Sequence, residues 1–241
     1  MTPLFPLVGG LVLLALAGVI LRSYGPRYRV ARLLATMRPV SVDAAIEAVE
    51  RGEAPYLRVD GRIDSKEAFE DAARRPLVFR RTRLQARERG GWRVFEDSRE
   101  QVPFEVGDGI RAIEIDSGAL DSGLVVIPRE SLGVAGDLAD RAPEDLPADR
   151  RVRAVVEQIS AVEHVTVIGA AVAIEDGRVR LTAGRGRPLI LTTLEIPEAM
   201  RVIAGGRRAR PGLVAACGVA GLLLLAASGG WALLAALGGG A

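Results

Sequence analysis

His164 is the only histidine among the 241 residues, and it directly follows Glu163. A carboxylate beside an imidazole can shuttle a proton, but the spacing implies neither a nucleophile nor a metal partner. A second candidate is the run Gly184-Arg185-Gly186-Arg187. Its guanidinium forks and backbone N–H groups suit an anion, although as a turn between two strands it needs no ligand. Arg185, Arg187, Glu163 and His164 are therefore the candidate ligand-binding residues, and no residue is assigned a catalytic role. Cys217 is the sole cysteine and lies in an apolar stretch, which excludes an intrachain disulfide and a cysteine zinc site. Lys66, the sole lysine, follows Ser65, and no phosphate-binding glycine loop precedes it. The expectation is a protein that is not an enzyme and holds neither metal nor cofactor.

These residues must be positioned by a domain that reads as mainly β. Val42, Ala45, Ile46 and Val49 give one apolar helical face, which Ser41 or Asp43 can cap. From Tyr56 the period becomes two. Leu57, Val59, Gly61 and Ile63 alternate with Tyr56, Arg58, Asp60 and Arg62, as in a half-buried strand. Residues 65–73 look helical. Further strands are expected over 77–87, 92–96, 102–106, 110–115, 124–127, 165–174, 178–182 and 189–194. Residues 136–149 read as a surface loop. Residues 152–159 fit a helix by spacing and a strand by β-branching, with strand preferred. Asp176-Gly177 suits a two-residue type I′ hairpin, because both central positions of that turn need positive φ. The soluble part is thus expected to be an antiparallel barrel or sandwich.

All 32 basic and 30 acidic residues lie between Arg22 and Arg210. Residues 4–21 and 213–237 carry no charge, and each is long enough to predict a transmembrane helix. Arg22, Arg27, Arg29 and Arg32 follow the first stretch, and Arg207, Arg208 and Arg210 precede the second. Read as membrane-surface collars, these arginines put the β domain in the cytoplasm and both termini outside an inner (cell) membrane. Small residues such as Ala216 with Ala220, Cys217 with Gly221, and Ala15 with Gly18 permit close helix contact. Between 39 and 200 there are 23 basic and 30 acidic residues, so the basic pI does not mark a nucleic-acid binder. The arginine-for-lysine bias and high alanine and glycine content point to a G+C-rich bacterial genome.

The expected organisation is a first transmembrane helix over 1–22 and a basic juxtamembrane segment with a short amphipathic helix over 23–55. The β domain covers 56–205, the basic collar 206–212, the second transmembrane helix 213–237 and a tail 238–241.

Several short matches occur in order within residues 28–210. They are Tyr56-Leu57-Arg58-Val59-Asp60-Gly61-Arg62-Ile63, Arg75-Pro76-Leu77-Val78-Phe79-Arg80-Arg81, and Val102-Pro103-Phe104-Glu105-Val106 with Asp108-Gly109. The last is Glu157 followed by Glu163-His164-Val165-Thr166-Val167-Ile168-Gly169. With them the chain resembles the GIDE-domain family, whose eukaryotic members are mitochondria-anchored RING-type ubiquitin ligases. The usual cysteine after Pro76 is Leu77 here, and the usual glycine before Glu163 is Val162. Only Gly238 to Ala241 follow the second stretch, so the resemblance implies a prokaryotic-type member lacking the RING and without ligase activity of its own.

The functional expectation is a two-pass scaffold whose GIDE-like domain recognises a protein, lipid or small ligand at a membrane surface. Its partners would be membrane lipids, an unspecified protein or further copies of itself in a homo-oligomer, and not nucleic acid. The alternatives are a membrane-perturbing stress or defence effector whose spans oligomerise, an accessory relative of ubiquitin ligases, and a hydrolase using Glu163 and His164.

Overall fold

A computed structural model describes residues 4–121, 123–205 and 209–238. The chain divides into two compact units, Met1–Arg32 with Ile203–Ala241, and Leu33–Val202. The described helices are α1 (Leu4–Thr36), α2 (Val42–Glu50), α3 (Ile196–Gly205) and α4 (Ala209–Gly238). The strands are β1 (Pro39–Val40), β2 (Tyr56–Asp64), β3 (Phe69–Glu70), β4 (Pro76–Glu88), β5 (Gly91–Gln101), β6 (Glu105–Gly107) and β7 (Ala112–Ile115). Then follow β8 (Leu124–Val125), β9 (Arg129–Val134), β10 (Arg151–Ser160), β11 (His164–Ala173), β12 (Val179–Thr182) and β13 (Ile190–Thr192).

Alternation along β2 sends Leu57, Val59 and Ile63 inward and Arg58 and Asp60 outward. Once those apolar side chains share one face, the sheet can close around them. It runs β2-β6-β7-β12-β11, and β11 returns to pair with β2, making a five-strand barrel. Val59, Ile113, Val167 and Leu181 are fully buried inside it. At Gly61 a Cβ would lie 2.7 Å from the Gly107 carbonyl oxygen, so the β2–β6 approach needs glycine there. The pairing is not wholly antiparallel, which corrects the expected barrel type. β12–β7 runs parallel, as do β13–β8 and β1–β2 outside the ring.

The second sheet is an open half-barrel. β5, β4, β10 and β9 lie side by side, and β3 pairs with the start of β4. Register shifts at Leu84/Gln85 and Ile159/Ser160 mark bulges, which bend and twist strands. Leu77, Val78 and Phe79 are all fully buried, so β4 begins with both faces covered. There Val78, Phe79 and Ile159 join the cluster that also holds Val59 and Val167, giving barrel and half-barrel one core.

α2 starts at Ser41, whose Oγ accepts the Ala44 N–H at 3.1 Å, and it buries Val42, Ala45, Ala48 and Val49. In the other unit α1 and α4 pack closely. A Cβ on Gly10 would lie 2.9 Å from the Gly221 carbonyl oxygen, and one on Gly221 would meet Leu14 at 3.0 Å. Gly18 touches nothing within 4 Å of its Cβ position, so the small-residue contact uses Gly10 instead.

Two expectations about these helices are overturned. Among the described residues no helix is long and apolar enough to cross a membrane. The expected pair of transmembrane helices is therefore not supported. With it fall the multi-pass inner-membrane location and its assigned orientation.

Local differences also emerge. Residues 69–70 form β3 rather than helix, because Asp71 and the positive φ of Arg74 (58°) turn the chain back along β4. The Asp176-Gly177 link is a 3-10 turn over Glu175–Gly177, with Gly177 alone at positive φ (69°). The residues with paired positive φ are Arg185 (54°) and Gly186 (70°), the type I′ pattern.

Candidate binding groove

The half-barrel register builds a site that no local motif announces. Ser98, Thr82, Val156 and Arg129 lie in one row across β5, β4, β10 and β9, since Ser98 opposes Thr82, Thr82 opposes Val156 and Val156 opposes Arg129. The next row is Glu96, Leu84, Ala154 and Ser131. On the other side Glu100, Arg80 and Gln158 line up. Directly opposed residues share a face, so this face has an apolar floor of Leu84, Ala154 and Val156. The resulting groove has a volume of about 810 Å³. Leu138 and Arg141, from the 3-10 helix Ala135–Arg141, also line it.

Its rim is cationic. Arg80 pairs with Glu100 and lies 5.3 Å from the Phe69 ring centre. Arg141 donates from Nε to Glu96 at 3.3 Å. Arg129 is exposed and has no ion pair among the described residues. At the mouth, Asp71 Oδ1 accepts the N–H groups of Ala73 (2.8 Å) and Arg75 (3.0 Å), while Oδ2 accepts Arg75 Nε at 2.8 Å. The Arg75 side-chain hydrogen bond, aided by those N–H groups, holds the Asp71 carboxyl down to about 2 from an ordinary 3.8. A depressed carboxyl stabilises the fold above its unfolded value and loses that contribution as pH falls through the folded one. In thermal melts, wild type is expected to exceed Asp71→Asn by a constant margin above about pH 5. That margin should shrink between pH 4 and 2, and a pH-independent gap would refute the assignment.

The opposite face of the same sheet is neutralised internally. Arg81 donates to Asp97 at 2.8 and 2.6 Å, Arg99 to Asp121 at 2.9 Å, and Arg83 to Glu157 at 2.7 Å. Trp92 has the guanidinium carbons of Arg153 and Arg87 at 4.8 and 5.5 Å from its ring centre. Arg83 Nε is buried without a hydrogen-bond partner, the one such described side-chain atom.

The residues singled out from sequence lie elsewhere and apart. His164 opens β11 opposite Arg62, exposed, on the rim of a cleft of about 660 Å³ beside Arg58, Asp60 and Thr166. Those three are committed to one another. Asp60 accepts from Arg58 at 2.9 and 2.7 Å and from Thr166 Oγ1 at 2.8 Å. Glu163 Oε2 accepts the Ser160 N–H at 3.3 Å, closing the β10–β11 turn, and is not joined to His164 by a hydrogen bond. Arg187 lies over the Tyr56 ring at 5.0 Å, and Tyr56 Oη donates to the Pro188 carbonyl at 2.6 Å. Burial pushes the Tyr56 phenol up to about 12 against the opposing pull of Arg187.

Arg185 caps the turn, exposed. The N–H groups of Gly184 and Arg187 each bond the other's carbonyl, so they are spent on the turn rather than offered to an anion. Tyr56 and Arg62 stand six positions apart on β2, roughly 20 Å, which separates the arginine pair from His164. Arg27, Arg29 and Arg32 lie on α1, where Arg29 and Arg32 have partners of their own. Arg207 and Arg208 lie outside the described residues, as do the side chains of Arg22 and Arg210. Among the described residues no group of three or more His, Cys, Asp or Glu could hold a metal ion.

The groove residues were missed because only pairing over long sequence distances brings them together. The Arg80-Thr82-Leu84 alternation was the sole local hint. The architecture is a mixed five-strand barrel with a half-barrel threaded through its sequence. No family model, curated protein or solved structure matches the chain. The resemblance to the GIDE family draws no support from these comparisons.

Proposed function

We propose that the chain is a non-catalytic recognition module whose half-barrel groove takes an extended acidic segment of a partner protein. The observation that carries this reading is an apolar floor edged by Arg80, Arg141 and Arg129, with Arg129 lacking a counter-ion among the described residues. Apolar side chains of an extended strand alternate, so one face can meet Leu84, Ala154 and Val156 while carboxylates reach the rim. The Arg80–Glu100 and Arg141–Glu96 pairs are surface pairs, each worth about 0–1 kcal/mol, and a ligand carboxylate can exchange for either.

The test uses a fluorescein-labelled ten-residue peptide alternating glutamate and valine, with its lysine–valine counterpart as control. Fluorescence polarisation should detect the acidic peptide alone. Arg129→Glu should weaken it about tenfold, a loss of about 1.4 kcal/mol. Equal binding of both peptides, or an unchanged Arg129→Glu variant, would overturn the proposal.

A further inference from the structure

β9 is an open edge whose unused backbone groups match those of a second copy. The strand pairs with β10 on one side, and Ala135 donates to the Arg150 carbonyl at 2.9 Å in continuation of that register. In an antiparallel ladder alternate residues point their N–H and C=O groups to the same side. The odd-numbered residues of β9 therefore face β10, and Glu130, Leu132 and Val134 face outward. The Val134 N–H is already taken by Asp137 Oδ2 at 3.2 Å. Pro128, the next outward position in the other direction, has no N–H to give. The edge thus offers complete donor–acceptor pairs at Glu130 and Leu132, bracketed by two positions that cannot donate.

We infer that two copies of this chain associate through β9, antiparallel about a twofold axis at Ser131. In that register Glu130 opposes Leu132 of the second copy and Leu132 opposes its Glu130. Four N–H···O=C bonds form, using all the free donors. Pro128 falls opposite Val134, so pairing stops at both ends without stranding a donor. Arg129 falls opposite Gly133, whose Cβ position lies 3.2 Å from Asp137 Oδ2, a carboxylate of opposite charge to the guanidinium. Leu132, 75% exposed in the single chain, gains cover.

The two edges of the half-barrel contrast in this respect. β5 carries Arg93, Glu96, Asp97, Arg99 and Glu100 and pairs with β4 through a register shift, features that discourage edge pairing. Ser131-Leu132-Gly133-Val134 carries no charge, proline or bulge. A symmetric interface satisfies the edge with one self-complementary patch.

Disulfide trapping reads the register directly. Ser131 meets its symmetry mate at a non-hydrogen-bonded site, where Cα atoms lie about 4.5 Å apart, within disulfide range. In the full chain with Cys217→Ser, Ser131→Cys should give a covalent dimer under mild oxidation. Arg129→Cys should not, since its two copies lie about 13 Å apart along the strands. Leu132→Glu keeps the β10 ladder intact, sets like charges against Glu130 of the second copy and should abolish trapping by Ser131→Cys, with the circular dichroism spectrum unchanged. Absence of the Ser131→Cys dimer, equal trapping through Arg129→Cys, or trapping that survives Leu132→Glu would each overturn the inference. The outcome is independent of peptide binding in the groove.

Discussion

Gly123→Ala should destabilise the Leu33–Val202 unit by about 3 kcal/mol or more, and Gly90→Ala should change it by less than about 0.5 kcal/mol. The Gly123 Cβ would stand 1.9 Å from the Leu189 carbonyl oxygen and 2.8 Å from its carbon. Both are backbone atoms, and no rotamer change can move them aside. The Gly123 carbonyl also accepts the Leu191 N–H at 3.1 Å, so a retreat of the chain would break the β8–β13 contact as well. Gly90 has nothing within 4 Å of its Cβ position. Urea titration of the two variants beside wild type makes the comparison. A Gly123→Ala protein with the wild-type midpoint would show that the approach of residue 123 to β13 is looser than described.

The second large effect is expected at Phe79. Its ring is fully buried, and it sits where the barrel and half-barrel share their core. Truncation to alanine removes the ring's transfer free energy and leaves a cavity, together about 3–5 kcal/mol. Domains of this size are stable by roughly 5–15 kcal/mol, so Phe79→Ala should consume a large part of the total. Phe79→Leu should recover most of the loss, because it restores volume. The readout is again the urea midpoint, with the slope of the transition checked for constancy. A Phe79→Ala cost near that of an exposed residue would place the shared core elsewhere.

Much of the strand inventory was legible because burial on one face imposes a period of two. Leu57, Val59 and Ile63 marked β2, and Val152, Val155 and Ile159 fit β10 once β-branching was weighed against helical spacing. The face of α2 was equally plain. β9 escaped detection because all six of its residues are exposed and no alternation marks it. β3 escaped because two residues are too short to carry a pattern, and the Asp71–Arg75 turn disguised the segment as helix. α3 lacked an obvious cap. The functional surface was the least visible part. Arg80, Arg129 and Arg141 come from three separate stretches, and in a chain with 31 arginines none stood out. The sole histidine and the glycine–arginine run drew notice for their rarity or local pattern, and neither is drawn into a joint site by the fold. The apolar stretches invited a membrane reading from hydropathy alone, which the described helices do not support.

The connectivity of the barrel has a consequence for how the protein is made. β2 pairs with β11, and Leu57 and Gly169 face one another about 110 positions apart. The half-barrel strands β4, β5, β9 and β10 are encoded between them. On a ribosome adding about 5–20 residues per second, β2 waits roughly 5–20 s for the strand that closes its ring. The β4–β5 hairpin can form within that interval because its contacts are local. Translation speed across residues 90–160 therefore governs how long the edge of β2 stands open to chaperones or to neighbouring nascent chains.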